Sequence, residues 1–374
     1  MVNYEIVTSA DRLAEICQAA RQVEAVMLDT EFVRTRTLYP RLGLVQLFDG
    51  QTLALIDPID IEDLSPLWAL LTDEKVMKVL HSCSEDLEVF LHHGGVLPAS
   101  VVDTQILAAF LGHGVSTGFA ALVDQYLGVT LDKGESRTDW CARPLTDSQL
   151  KYAAADVHYL APLYVALKEK VQQAGWWDAA LEESRNMVDK KRKKPEPEKA
   201  YLDVKNAWQL RPRQLAVLKS LAAWRLKEAQ KRDLALNFVV KDLNLWKMAR
   251  FNIQTKRQMQ EQGFDRKEID IHGNTLIKLT AAAIKSDEAD LPEKIDRIVD
   301  LPGYKSLMAV LKEKVSVVAE DTGLPPELLG SKKMLNRVIR WHFDNPEEAD
   351  KLPLMMEGWR APLLSAKLKA ALAA

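Results

Sequence analysis

Apolar and polar positions follow two different rhythms along this chain. Over its first eighty residues, short apolar runs of strand length (AVMLDTEF, LGLVQLFDG, TLALIDP and VMKVLHS) are punctuated by Asp, Gly and Pro. That pattern predicts strands bounded by turns. Between the third and fourth runs, LSPLWALLTD has helical spacing, with Ser65 as the expected N-cap and Pro66 just inside the helix. The period then changes. SEDLEVFLHHGG predicts a helix from near Ser84 to Gly94-Gly95, and helical spacing continues through TQILAAFLG, GFAALVDQYLG and a long run from Ser148 to about Gln173. Strands with interleaved helices predict an α/β layered N-terminal domain.

KKRKKPEPEKA, at 190–200, breaks the apolar pattern and reads as a solvated linker, with a phosphate-touching arm as the alternative. Everything beyond it has helical spacing, and two stretches repeat one order of long helix, short loop, helix, aromatic-plus-basic turn and final helix. The first begins QLAVLKSLAAWRLKEAQKRDLALNFVVKDLNLWKMA and the second YKSLMAVLKEKVSVVAEDTGLPPELLGSKKMLNRVIRW. The expected layout is an α/β domain at 1–185, a basic, proline-containing linker at 186–204, and two all-α domains at 205–288 and 289–374.

A length of 374 residues calls for more than one domain, and 47% hydrophobic with 28% charged residues suits a globular protein. Neither a signal peptide nor a membrane-spanning run is expected, so the reading is cytoplasmic. Cys17, Cys83 and Cys141 form no CxxC pair, which suits a reducing compartment and argues against structural zinc. Nothing calls for an obligate oligomer, and a monomer is expected. Charge is unevenly spread: residues 1–185 hold 14 Lys/Arg against 27 Asp/Glu, while residues 200–285 hold 17 against 8. A basic segment beside an acidic domain points to nucleic acid, because phosphate neutralisation dominates such affinity; an uneven solvated surface is the plainer alternative.

The acidic domain places carboxylates inside ordered, apolar-flanked segments, where an isolated charge is costly. Asp29 and Glu31 are two apart in a strand and share one face. Asp86 falls in the first turn of a helix, where it could serve only the helix dipole. Tyr152 and Asp156 are four apart and project from one helix face, with small alanines between them. Each element has an ordinary structural explanation; the ordered set of five points to chemistry. Two hard cations such as Mg²⁺ or Mn²⁺, held by oxygen ligands, would activate a water and neutralise the leaving oxygen of a phosphodiester. A protonated tyrosine beside them could hold that water in line.

LDTEF, HSCSEDLEVF and YAAADVHYL resemble the three exonuclease motifs of the DEDD superfamily, and the tyrosine four before the last aspartate is similar to its DEDDy branch. The continuation DTEFVRTRTLYPRLGLVQLFDG and the tandem helical domains look like the bacterial ribonuclease D family. The first helical repeat resembles the HRDC domain, and the second a diverged relative. The resemblance implies a ribonuclease H-like α/β fold and 3′-to-5′ exoribonuclease activity releasing 5′-mononucleotides, with trimming of precursor tRNA and other structured RNA 3′ ends. It implies metal ligation by Asp29, Glu31, Asp86 and Asp156, with Tyr152 orienting the water. Asp103 matches a further acidic position near such sites, with a helix N-cap as its alternative.

Phe32, Arg34, Arg36 and His81 flank the motifs as candidate substrate contacts; core packing for Phe32, solvated charge for the arginines and a structural role for His81 stand beside that reading. Trp224, Trp246 and Trp341 have amphipathic spacing and are expected in cores, whereas Phe251, Lys256 and Arg257 suit an RNA-facing surface or a solvated helix face. Two rivals remain at this stage: an exonuclease acting on DNA ends, and a non-catalytic RNA-binding module.

Overall fold

Six strands form one mixed sheet in the order β1-β4-β3-β2-β5-β6. In chain order the elements are β1 (Glu5–Val7), α1 (Ala10–Ala20), β2 (Ala25–Val33), β3 (Arg41–Phe48), β4 (Leu53–Ile56), α2 (Ser65–Leu71), β5 (Met77–Leu80), α3 (Asp86–His93), β6 (Val101–Asp103), α4 (Thr104–Ala109), α5 (Phe119–Leu127), α6 (Asp147–Gln173) and α7 (Trp177–Lys191). This computed structural model describes residues 2–132, 134–135, 137–344 and 352–373. β2, β3 and β4 pair antiparallel, while β5 and β6 continue the sheet in parallel from β2. β1 and β6, three residues each, are too short to leave a periodic signal in the sequence.

Strand alternation sorts β2 into two faces. Val26 and Leu28 join Val45 and Leu47 of β3, Leu13 and Ile16 of α1, Leu67 and Leu70 of α2, and Leu87 and Phe90 of α3 in one buried cluster. Each such side chain contributes about 1.5–3 kcal/mol on full burial. The other face, carrying Met27, Asp29 and Glu31, is crossed by α6, which packs on β2, β3 and β4. One helix start differs from expectation: α2 has Leu64 at its N-cap position with no side-chain cap bond, and Asp63 accepts from the Ser65 amide at 2.8 Å and hydroxyl at 3.0 Å, so Ser65 is the first helical residue and not the cap. α3 runs from Asp86, two residues beyond Ser84, with the Leu87 amide bonded to the Cys83 carbonyl at 3.0 Å.

Contacts divide the chain into two units, Met1–Val33 with Pro40–Arg192 and Leu301–Ala374, and Arg34–Tyr39 with Lys193–Asp300. The second unit holds α8 (Pro212–Arg232), α9 (Leu236–Val239), α10 (Asp242–Phe251), α11 (Lys256–Glu261) and α12 (Arg266–Ala283). Leu215, Leu218 and Leu221 of α8 meet Leu245 and Met248 of α10 and Leu276 of α12, with Trp224 and Trp246 half-buried at the margin. Phe251 is exposed.

Leu301–Ala374 groups with the sheet. It forms α13 (Tyr304–Thr322), α14 (Pro326–Gly330), α15 (Lys332–Phe343) and α16 (Ala366–Ala373). Its anchor is on α7: Arg360 Nη1 donates to Glu183 Oε2 at 2.7 Å, and the Trp359 amide donates to Glu182. The Trp359 ring packs edge-on to Phe110 with centroids 4.9 Å apart. Gly358 holds φ at +54°, and a Cβ there would strike the Glu182 carboxylate. Among the described residues, no helix is long and apolar enough to cross a membrane.

Candidate active site

β2 carries the first two carboxylates, Asp29 opposite Gln46 and Glu31 opposite Leu44 of β3, before the register shifts between Glu31 and Phe32. α6 supplies the next pair. Its start is fixed by a capping box in which Thr146 and Gln149 satisfy each other's backbone groups, and one turn separates Tyr152 from Asp156. Trp140 flanks Tyr152 with ring centroids 6.1 Å apart. The Trp140 backbone lies so close on β3 that a Cβ at Gly43 would come within 2.5 Å of its carbonyl oxygen, so only glycine fits there.

Asp29, Glu31 and Asp156 are half-buried and present oxygen atoms that all lie within 4.8 Å of one another. Asp29, Tyr152 and Asp156 line a cavity of about 140 Å³ with Leu28, His81, Phe119 and Leu160. Asp86 is not part of that trio. It is buried at the start of α3, and its Oδ1 accepts the hydroxyl of Thr30. Its charge still reaches the others: burial, then Asp86, Asp156 and Glu31, push the Asp29 carboxyl well above its usual range. Burial, then Asp156 and Asp86, push Glu31 up to about 9. Burial raises Asp156 to about 7 and Asp86 to about 6, the Thr30 hydrogen bond working against the latter rise. Burial and the neighbouring carboxylates raise Tyr152 too, so its phenol stays protonated and able to donate.

This donor set fits a hard divalent cation. It consists of oxygen alone, with no histidine or cysteine among the three ligand groups. Among the described residues, no lysine or arginine pairs with these carboxylates, so their mutual repulsion has no other relief.

Comparison with known proteins gives the same picture. The 3'-5' exonuclease family matches residues 4–172, the HRDC domain matches 214–280, and the C-terminal HRDC domain of ribonuclease D matches 302–368. Ribonuclease D of Musicola paradisiaca is 48% identical over 372 residues, covering 100% of this chain and 99% of that protein. The Escherichia coli K12 ribonuclease D is also 48% identical, over 98% of each chain. The chain belongs to the ribonuclease D family. The crystal structure of Escherichia coli RNase D, described as an exoribonuclease involved in structured RNA processing, superposes with a TM-score of 0.96 at 47% identity over 99% of both chains. This protein is accordingly a 3′-to-5′ exoribonuclease that uses a divalent metal, with an α/β exonuclease domain followed by HRDC helical domains.

The remaining candidates fall in different places. Asp103 is buried and is the N-cap of α4, accepting from Gln105 N at 2.8 Å; it also accepts from Ser82 N at 3.0 Å and Cys83 N at 2.9 Å. It thereby ties β6 to the turn that leads into α3, where Ser82 holds φ at +55°. His81 lines the cavity, its Nδ1 2.9 Å from Thr104 Oγ1 and its ring tilted against Phe119 at 5.4 Å. Burial lowers its pKa and keeps the imidazole neutral. Phe32 packs half-buried against the sheet core. Arg34 and Arg36 belong to the second unit. There Arg34 Nη2 donates to the Leu38 carbonyl at 2.8 Å, and the Arg36 guanidinium lies 5.6 Å from the Phe238 ring centre. Thr30, Gln46 and Phe119 escaped the sequence reading, although a lone glutamine in LGLVQLF is a visible polar interruption of an apolar strand.

Proposed function

We propose that the protein removes 5′-mononucleotides one at a time from RNA 3′ ends by two-metal-ion hydrolysis, and that precursor tRNAs and other structured RNAs are its substrates. The observation that carries this reading is the convergence of Asp29, Glu31 and Asp156 within 4.8 Å, in a family of exoribonucleases. Asp29, Glu31, Asp86 and Asp156 would hold two Mg²⁺ or Mn²⁺ ions, which when bound supply an activated water and a counter-charge for the leaving oxygen. Tyr152 would hold the attacking water in line with the phosphorus through a hydrogen bond from its phenolic hydroxyl, keeping its own proton. Leu160 and Phe119 form the apolar wall that limits competing water. His81 and Phe119 are the side chains available to contact the terminal nucleotide. Asp103 acts behind them by holding the turn before Asp86. Residues 200–285, with 17 Lys/Arg against 8 Asp/Glu, draw in the phosphate backbone.

The test is digestion of matched RNA and DNA oligomers with Mg²⁺ or Mn²⁺, with product analysis, followed by a tRNA precursor bearing a 3′ extension. Release of 5′-mononucleotides from RNA and arrest near the mature tRNA end are expected. Faster attack on DNA would overturn the substrate assignment. Asp29→Ala is expected to abolish hydrolysis while RNA binding persists, which a purely binding role would not produce.

A further inference from the structure

Gln46 stands at the centre of β3, in the run Leu44-Val45-Gln46-Leu47-Phe48, with none of its surface exposed. Neither its Nε2 nor its Oε1 has a hydrogen-bond partner among the described residues. Leaving a buried polar group unpaired costs about 1–3 kcal/mol, so methionine or leucine would make the more stable strand. The amide's oxygen and nitrogen exchange places by a flip, so one of its two orientations presents the NH2 donor to a nearby acceptor.

The register identifies that acceptor. Gln46 is directly opposite Asp29 on β2 and Leu55 on β4. Directly opposed residues share a face, with Cβ atoms about 4.5–5.5 Å apart, well within the joint reach of Asp and Gln side chains. On this face Leu44 lies opposite Glu31 and Phe48 opposite Met27, and the Phe48 ring sits 6.1 Å from that of His158 on α6. Gln46 is thus flanked along its own strand by Leu44 and Phe48, and its directly paired neighbour on β2 is Asp29, with Glu31 one diagonal step away. Among the described residues, no side chain donates to the Asp29 carboxylate. Carboxylates that ligate metals are ordinarily held by an outer hydrogen-bond donor, whose loss costs about 10- to 100-fold in metal affinity.

We propose that Gln46 is a positioning residue for Asp29, its amide donating to the Asp29 oxygen that faces away from the bound cation. The hydrogen bond fixes the carboxylate's rotation and selects the oxygen presented to the cation. This inference rests on the reading of Asp29 as a ligand.

The experiment compares full-length wild type, Gln46→Met, Gln46→Leu and Asp29→Asn for Mn²⁺ affinity by electron paramagnetic resonance, and for melting temperature in chelator. Removing the amide is expected to leave the metal-free melting temperature unchanged or higher while weakening Mn²⁺ binding about 10- to 100-fold. The side-chain amide signal of Gln46 in ¹⁵N-glutamine-labelled wild type, assigned by its loss in either variant, is expected to shift when Mg²⁺ is added. Wild-type Mn²⁺ affinity in both substituted proteins, or a Gln46 signal indifferent to Mg²⁺, would overturn the proposal. Undiminished Mn²⁺ binding in Asp29→Asn would instead overturn the ligand reading beneath it, so the two failures are distinguishable.

Discussion

The hydroxyl of Thr30 donates to the carboxylate of Asp86, joining the residue between Asp29 and Glu31 to the first turn of α3. The middle position of the D-T-E motif is therefore more than a spacer. It faces away from its two neighbours and holds the fourth carboxylate from the opposite side of the strand. Thr30→Val keeps the shape and removes the donor. It is expected to lower stability by about 1–3 kcal/mol, because a buried carboxylate loses its partner, and to cut exonuclease activity at least tenfold. Thr30→Ser should recover most of both. Full activity in the valine variant, read by single-nucleotide release, would show that Asp86 is oriented by something else.

Tyr152→Phe removes one hydroxyl beside Asp156 and leaves the packing against Trp140 in place. Removing one preorganised hydrogen-bond donor from an active site costs about 10²- to 10³-fold in kcat. The expected result is a fall of that order in kcat with Mn²⁺ affinity unchanged. A change confined to metal affinity would reassign the tyrosine to ligand support.

The carboxylates also predict how the metal-free protein responds to pH. Glu31 sits at about 9, Asp156 at about 7 and Asp86 at about 6, all above the ordinary carboxylate range of about 4 that holds in the unfolded chain. A folded value above the unfolded one means that the folded state binds protons more readily. The contribution of these three groups is then fully present below about pH 4 and declines as pH rises through their folded values. In chelator the melting temperature should fall between pH 5 and 9, and it should fall less in Glu31→Gln/Asp156→Asn. Stabilisation by Mg²⁺ should grow over the same window, since ligands bind as carboxylates. A melting temperature in chelator with the same slope in both proteins would contradict this.

Arg360 and Glu183 form a buried pair, and breaking one partner strands the other. Burial pushes Glu183 up, but the hydrogen bond and charge of Arg360 more than offset it, and the carboxyl ends below its usual range. Arg360→Met is expected to cost about 3–5 kcal/mol, and Arg360→Met with Glu183→Gln distinctly less. Chemical denaturation of the three proteins measures both. Equal losses in the single and double variants would show that the packing of Trp359 carries the contact.

Much of the fold was legible because its signals are local. Four strands, the helices α2 to α6 and both helical repeats announced themselves by period, whereas α1 and α7 were not read, and D-x-E and Y-x-x-x-D each place two groups on one face of a single element. What escaped notice depends on partners distant in sequence. Thr30 bonds Asp86 across 56 residues, Asp103 takes the Ser82 and Cys83 amides across 21 and 20, and Phe119 reaches the cavity from α5. Arg34 and Arg36 were read as candidate substrate contacts from their nearness to the D-x-E motif alone, and no local signal announced that Arg34 donates to the Leu38 carbonyl or that the Arg36 guanidinium lies against the Phe238 ring.

The return of residues 357–360 to α7 bears on how this enzyme can be cut apart. Glu182 and Glu183 project from α7 toward Trp359 and Arg360, and Phe110 and Trp176 are covered by the same indole. A fragment ending before residue 301 would bare that aromatic patch and leave two acids without their donors, inviting self-association. The nuclease layer and the last helices therefore stand or fall as one body, although the whole of Lys193–Asp300 separates their halves in the chain.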